Sequence, residues 1–414
     1  MVLLIIVFIH LAFLLSLPIH IWPELSFLPW LVSKGLVPYR DFFENHGFLL
    51  SYVLAFIDGN LFYITTQLLN TILVYRILRN PLVTLFFVLV SVFVSENYLW
   101  YEGAITTFYL VIYIALTRKS TPIVIGILVG LASFIKPTAA LVLLPISFYQ
   151  KSVAAVLVTG FMWTVVFIIY WTIGALPPLI KGLFSFNQFL LTHFEGLPIA
   201  NIGILRIASG ICLLSLYTAI RSRITKSILP FAFMLVSLIF LPLTYGKEHL
   251  VPIATFFVLF IAIVFTSASD KYKLLLGLGL LVLSAQLVRQ INYRQSILRT
   301  ERNRTFYFKT LDTINRSLPT DTKFYVFGEL YELYMIRDQL PPTYFPIHFQ
   351  IFQQFFPDYE QQIIDRLEDD HVEIIVITEP IPSNFQNLTQ IQTYINDNYK
   401  EINEVSSIKI YQKN

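Results

Sequence analysis

Cysteine is almost absent, Cys212 being the single one in 414 residues. One thiol inside an apolar run excludes an intrachain disulfide and a thiolate metal cluster. Charge is scarce as well. Asp, Glu, Lys and Arg make up 13% of the chain, against roughly 25% in an ordinary soluble domain. What remains is 56% apolar, with a mean hydropathy of +0.67, more hydrocarbon than a water-soluble fold can hide. No internal repeat or low-complexity segment is evident. No Lys or Arg precedes the apolar stretch Met1 to Leu17 and no small-residue cleavage site follows it, so this stretch is expected to be a retained first span rather than a signal peptide.

The charge that is present is unevenly placed. Residues 1–290 hold 17 Lys/Arg and 9 Asp/Glu, whereas residues 291–414 hold 12 and 17. Two regions meant for different solvents are thus expected to join near residue 290. The second alternates β-rich runs, Lys323 to Phe327 and Val372 to Ile377, with a helical pattern from Tyr359 to Asp370, which predicts a small α/β domain. It contains no phosphate-cradling Gly-rich loop, no metal-spaced His/Cys set and no nucleophile elbow.

A membrane-spanning helix needs about 20 apolar residues, and eleven candidate stretches centre near 2–18, 59–78, 81–95, 104–117, 121–135, 138–149, 153–174, 203–220, 228–243, 250–267 and 271–289. The predicted fold class is a polytopic α-helical membrane protein of about eleven spans with a small C-terminal α/β soluble domain. Basic residues in short loops stay cytoplasmic. Arg76 and Arg79, Arg118 and Lys119, Lys151, the run Arg221, Arg223 and Lys226, and Lys271 with Lys273 fall on one side if eleven spans are counted. The opposite side then receives the loop Pro18 to Asp58, the turn Glu96 to Glu102, the loop Ala175 to Ile202 and the C-terminal domain. The decisive segment is Thr121 to Tyr149, where Lys136-Pro137 interrupts an apolar stretch. One kinked helix there would invert every later loop, and the charge rule favours two short helices.

Ionisable groups are costly in a membrane, so their positions carry information. The first outer loop puts Arg40, Asp41, Glu44 and His46 within seven residues. Asp41 and Glu44 are three apart, and one helical turn would set them on one face. A carboxylate beside apolar aromatic residues can act as a general base or share a divalent metal with a second carboxylate. A solvated loop with interfacial aromatics explains the same spacing equally well. Other outer-end groups that could converge are Glu96, Glu102, Lys136, His193, Glu195, Lys247 and His249. Lys247 and His249 could hold a lipid-linked phosphate as cations. Lys136 alone reads more readily as a snorkelling side chain at a helix end, and His193 with Glu195 as an ordinary loop pair. Glu96 and Glu102, which flank Trp100 and Tyr101, fit a plain turn somewhat better than a site.

The run Gly35-Leu36-Val37-Pro38-Tyr39-Arg40-Asp41-Phe42-Phe43-Glu44-Asn45-His46-Gly47 resembles the first-outer-loop motif of the GT-C superfamily of integral membrane glycosyltransferases, of the bacterial kind related to protein mannosyltransferases. Gly130 to Thr138 is similar to the family's segment ending in Lys, and Lys247 to Pro252 to its basic-His-aliphatic-Pro turn. The likeness covers about residues 1–290, with Phe48 standing where relatives commonly carry Pro. It implies a polyprenyl-phosphate-sugar donor, a lipid, glycan or protein acceptor, and inverting transfer on the outer face of the plasma membrane. It further implies Asp41 as base, Glu44 as its orienting group or the ligand of a divalent metal, and substrate contacts from Arg40, His46, Glu102, Lys136, Lys247 and His249. No nucleic-acid partner is expected. The competing expectations are an O-antigen polymerase or ligase type protein, which would present arginine-rich outer loops, and a glycolipid transporter or flippase, which would place ionisable groups at the bilayer midplane in repeated halves.

Overall fold

A computed structural model describes residues 1–16, 19–95, 97–193, 202–238, 247–291, 309–320, 322–328, 330–347, 351–378, 388–405 and 408–414, the side chains of 23, 202, 203, 247, 248 and 288–291 aside. It forms two compact units. The first comprises Met1–Leu25, His46–Thr172 and Glu195–Leu298, and the second Ser26–Asn45, Ile173–Phe194 and Arg299–Asn414.

The first unit is helical, and each of the eleven apolar stretches overlaps a helix, residues 17–18 and 239–243 lying outside the described ones. Among the described residues three helices are long and apolar enough to cross a membrane, Gly59–Leu78, Ala154–Thr172 and Ile204–Arg221, and seven further apolar helices are shorter. Along Ala154–Thr172 the exposed stripe is Leu157, Phe161, Ile168 and Trp171. Hydrocarbon left outside on one helix face is what a lipid-facing span requires. The opposite face packs on Pro122–Ile135 through small residues. A Cβ on Gly126 would lie 2.8 Å from the Ala155 carbonyl oxygen. Thr159 donates to the Gly126 carbonyl at 2.9 Å and the Trp163 indole to Ser133 at 2.9 Å. Close backbone approach through small residues is how helices associate in the absence of a hydrophobic driving force.

These contacts, 126 with 155 and 159, then 133 with 163, run the two helices in parallel. The chain between them therefore has to turn back. It does so at Lys136, whose extended backbone (φ −152°, ψ 118°) ends one helix and leads into the 3-10 turn Pro137–Val142 and the helix Leu143–Gln150. A residue before proline is pushed out of the helical region, so the Lys136-Pro137 pair is a reversal rather than a kink.

The Gln67 side chain lies against Gly103, and Thr107 donates to Asn70 at 2.8 Å, so Gly59–Leu78 runs parallel to Tyr101–Thr117. Several helix C-termini end in a left-handed basic residue: Arg79 (φ 51°), Lys119 (φ 58°), Lys151 (φ 51°) and Arg223 (φ 53°). A side chain there costs roughly 1–2 kcal/mol, partly offset by the favourable pairing of a cation with the helix C-terminus, about 0.3–1 kcal/mol. Arg79 and Lys119 thus lie at one end of the bundle and Glu102 at the other.

The second unit carries a four-stranded sheet in the order Phe324–Phe327, Ile374–Thr378, Ile408–Lys413, Tyr399–Val405, the first pair parallel and the others antiparallel. The expected strands and the helix Tyr359–Asp369 are present. The unit is not confined to the C-terminal region, and its core explains why. Phe43 lies edge-on to Phe186 at 5.2 Å and to Phe352 at 4.9 Å, with Phe345 and Phe356 beside them. Segments 26–45 and 173–194, both expected to be loops, supply apolar side chains to that core. They also contain helices, Pro23–Ser33 at the start of the first and Leu176–Ile180 and Asn187–His193 in the second.

Candidate functional site

Glu102, Lys136 and His249 meet inside the first unit. Lys136 Nζ lies 2.6 Å and His249 Nδ1 2.9 Å from the same carboxylate oxygen, Glu102 Oε1. The Glu102 side chain is 0% exposed, with Lys136 at 12% and His249 at 5%. Local sequence dictates each position. Trp100 is extended and starts the helix Tyr101–Thr117, which puts Glu102 in the first turn where the helix dipole favours an anion. Pro137 stops the preceding span at Lys136, a cation at a helix C-terminus. His249 belongs to the 3-10 turn Lys247–Leu250 that enters Val251–Ser267, with Pro252 in its first turn.

Aromatic rings wall this cluster. His46 stacks on Tyr101 at 4.0 Å, and Trp100 lies 5.6 Å from His46, 5.7 Å from His249 and 5.5 Å from Trp22. Gly47 holds His46 in place, donating to the Ile135 carbonyl at 2.9 Å, and a Cβ there would fall 2.0 Å from the Phe134 carbonyl oxygen. Glu102 Oε2 and Trp100 Nε1 are enclosed with no hydrogen-bond partner among the described residues. A cavity of about 10 Å³ adjoins Trp100 and Gly103, lined also by Tyr63, Gln67 and Ser95, near the lower limit of about 10–15 Å³ for one water. An ammonium and an imidazole on one dry carboxylate oxygen, with the second oxygen unpartnered among the described residues, can receive an added anion or a hydroxyl donor.

Asp41 and Glu44 belong to the second unit, and the segment that carries them is not helical. Pro38 to Phe42 is a tight turn in which Tyr39, fully buried, has φ +66°. A left-handed aromatic residue is strained by order 1–3 kcal/mol and is held here by two bonds, Tyr39 N–H to the Phe42 carbonyl at 2.8 Å and Tyr344 hydroxyl to the Tyr39 carbonyl at 2.9 Å. Asp41 and Glu44 therefore do not share a helical face. Arg40 grips the Asp41 carboxylate with Nε at 2.9 Å and Nη2 at 2.7 Å, and Val37 N–H donates to it at 2.7 Å. The Arg40 fork, with the Val37 amide adding to it, holds Asp41 below the usual carboxylate range against the opposing effect of partial burial. Glu44 is buried and accepts from Asn45 N–H at 3.0 Å. Gly182 packs on the Glu44 carbonyl from the π-helical turn Lys181–Phe186, and Asn187 donates to Asn45 O at 2.7 Å.

Of the remaining candidates, His193 stacks on Phe189 at 4.0 Å and joins neither group. Glu96, Glu195 and the Lys247 side chain lie outside the described residues. Among the described residues no three His, Cys, Asp or Glu side chains gather as a metal site. Sequence reasoning named all three members of the buried cluster without foreseeing that Glu102 is their hub. Trp22 was missed entirely; its only signal was an aromatic beside the first span.

No family model matches the chain, and no curated protein matches it.

Proposed function

We propose that the protein is a multi-span membrane glycosyltransferase that moves a sugar from a polyprenyl-phosphate donor to an acceptor hydroxyl on the outer face of the plasma membrane. The observation that carries this reading is the buried Glu102–Lys136–His249 cluster at one end of the membrane helices. Ionisable groups buried at such depth are expensive and by default functional. The resemblance of residues 35–47 to the GT-C first outer loop supports the same reading. In it the chain crosses the membrane eleven times and its strand-bearing unit is extracytoplasmic.

Asp41 takes the proton from the acceptor hydroxyl as its oxygen attacks the anomeric carbon. The new O–C bond forms while the bond from that carbon to the phosphate oxygen breaks, so configuration inverts and polyprenyl phosphate departs with the electron pair. Fixed cations stabilise that growing negative charge most where water is excluded. Lys136 and His249 are placed in that role, with Glu102 as their counter-charge while the donor is absent. Arg40 keeps Asp41 ionised and oriented.

The deciding experiment reconstitutes the full chain in vesicles with a panel of polyprenyl-phosphate sugars. Transfer by the wild type and none by Asp41→Asn, with insertion unchanged, is expected. Full transfer by Asp41→Asn would remove Asp41 as base, and no transfer from any donor would remove the reading.

A polar seam favours a second reading, passage of a glycolipid headgroup. His10 bonds Thr71 at 2.7 Å and Ser91 donates to Gln67 at 2.9 Å, all buried between helices. Donor lipid crossing the vesicle bilayer without sugar transfer would select it.

A further inference from the structure

The end of the helical unit opposite Glu102 carries an unassigned groove of about 220 Å³, walled by Leu216, Ile220, Ile228, Phe231 and Phe260, with Arg223 at its edge. Its outer wall is lipid-facing: Ile220 is 70% and Ile228 64% exposed. Arg223 is fixed by its backbone. Arg223 N–H donates to the Ile220 carbonyl and Ile224 N–H to the Ala219 carbonyl at 2.9 Å, the paired bonds of a left-handed helix cap. Its Cα is therefore held beside the apolar wall, Arg223 lines the groove, and it forms no ion pair among the described residues.

Further basic residues lie in the turn that carries Arg223 and at the start of a neighbouring helix. Arg221 and Lys226 lie in the same turn and are exposed. Tyr272, flanked by Lys271 and Lys273, brings its ring 6.1 Å from Tyr217. The acid among them, Asp270, is taken up by Lys273 at 3.5 Å. An apolar trough open to lipid, lined by Arg223 and with further basic residues in the adjoining turns, matches one molecule on both counts: phosphate for the charge, acyl chain for the wall.

We propose that this groove seats an anionic phospholipid, its phosphate on Arg223 and an acyl chain along Ile220, Ile228 and Phe231. The site is independent of the transferase reading.

The test is native mass spectrometry and thermal unfolding of the full chain in detergent micelles doped with phosphatidylglycerol or with phosphatidylcholine. The wild type should retain phosphatidylglycerol and melt higher with it than with phosphatidylcholine. Arg223→Gly removes the charge while suiting the left-handed cap, and should bind phosphatidylglycerol about fivefold more weakly. Ile220→Trp fills the trough without changing charge and should bind more weakly too, which keeps the test valid if Arg223→Gly misfolds. Lys119→Gln, at another helix end, should behave as wild type. Equal retention of both lipids, undiminished phosphatidylglycerol binding in Ile220→Trp, or the same thermal shift with inorganic phosphate alone would overturn the proposal.

Discussion

Lys136 and Glu102, thirty-four residues apart, are joined at 2.6 Å with almost no exposure to solvent. The pair is a hydrogen-bonded buried contact whose energetic value depends on both partners being present. Breaking such a pair costs far more than replacing it whole, about 3–5 kcal/mol for removal of one partner. Lys136→Met is therefore expected to lower the detergent melting temperature sharply. The double variant Lys136→Met with Glu102→Gln should recover most of that stability, while sugar transfer stays lost in both. Stability and transfer that return together would reduce the cluster to a staple between helices.

Asp41 and Arg40 predict a pH dependence. A depressed carboxyl contributes stability above its unfolded value, about 3.9, which is lost as pH falls through the lower folded value. In the proposed reading Asp41 acts as base only when ionised, so the acid limb of transfer should lie below the ordinary carboxylate range. Arg40→Gln should move that limb upward, and a transfer profile taken to acid pH checks it.

Glu360 gives a prediction confined to the strand-bearing unit. Its buried carboxylate accepts from Gln390 N–H at 2.7 Å, Ile391 N–H at 3.0 Å and Gln353 Nε2 at 2.8 Å, capping the helix Thr389–Asn398. Glu360→Ala should leave those amides unpaired at about 1–3 kcal/mol. Hydrogen exchange of the full chain should quicken at residues 389–398 and leave Pro122–Ile135 unchanged.

Gly47 predicts a steric effect on the cluster's wall. A methyl group there meets the Phe134 carbonyl at 2.0 Å, and the obstacle is backbone rather than a yielding side chain. Gly47→Ala is expected to destabilise by at least the usual 1–3 kcal/mol of overpacking. His46 should lose its stack on Tyr101, read as altered histidine and tyrosine resonances.

Hydrophobic periodicity made the helices legible, because lipid-facing spans must be continuous hydrocarbon. The break at Lys136-Pro137 was legible too, since the charge in later loops favoured two short helices there. The helical face proposed for Asp41 and Glu44 failed because spacing of three is only a helical signal in a helix, and Pro38 with a left-handed Tyr39 makes a tight turn instead. The meeting of Glu102 with His249 spans 147 positions, and nothing local in the sequence encodes such a partner. Phe43 read as an interfacial aromatic of the first outer loop, which is how any core residue lent to a distant sheet looks when read in its own loop.

That loan sets an order of events during synthesis. Tyr39 is clamped by Tyr344, 305 positions downstream, and Phe43 is packed by Phe352 and Phe356. The Asp41 turn leaves the ribosome early and can complete its packing only once the last quarter of the polypeptide has been made. A prematurely terminated chain could still insert its helices, yet it would display the Asp41 carboxylate on an unsupported loop. Synthesis of residues 344–356 thus serves as the assembly signal for that turn.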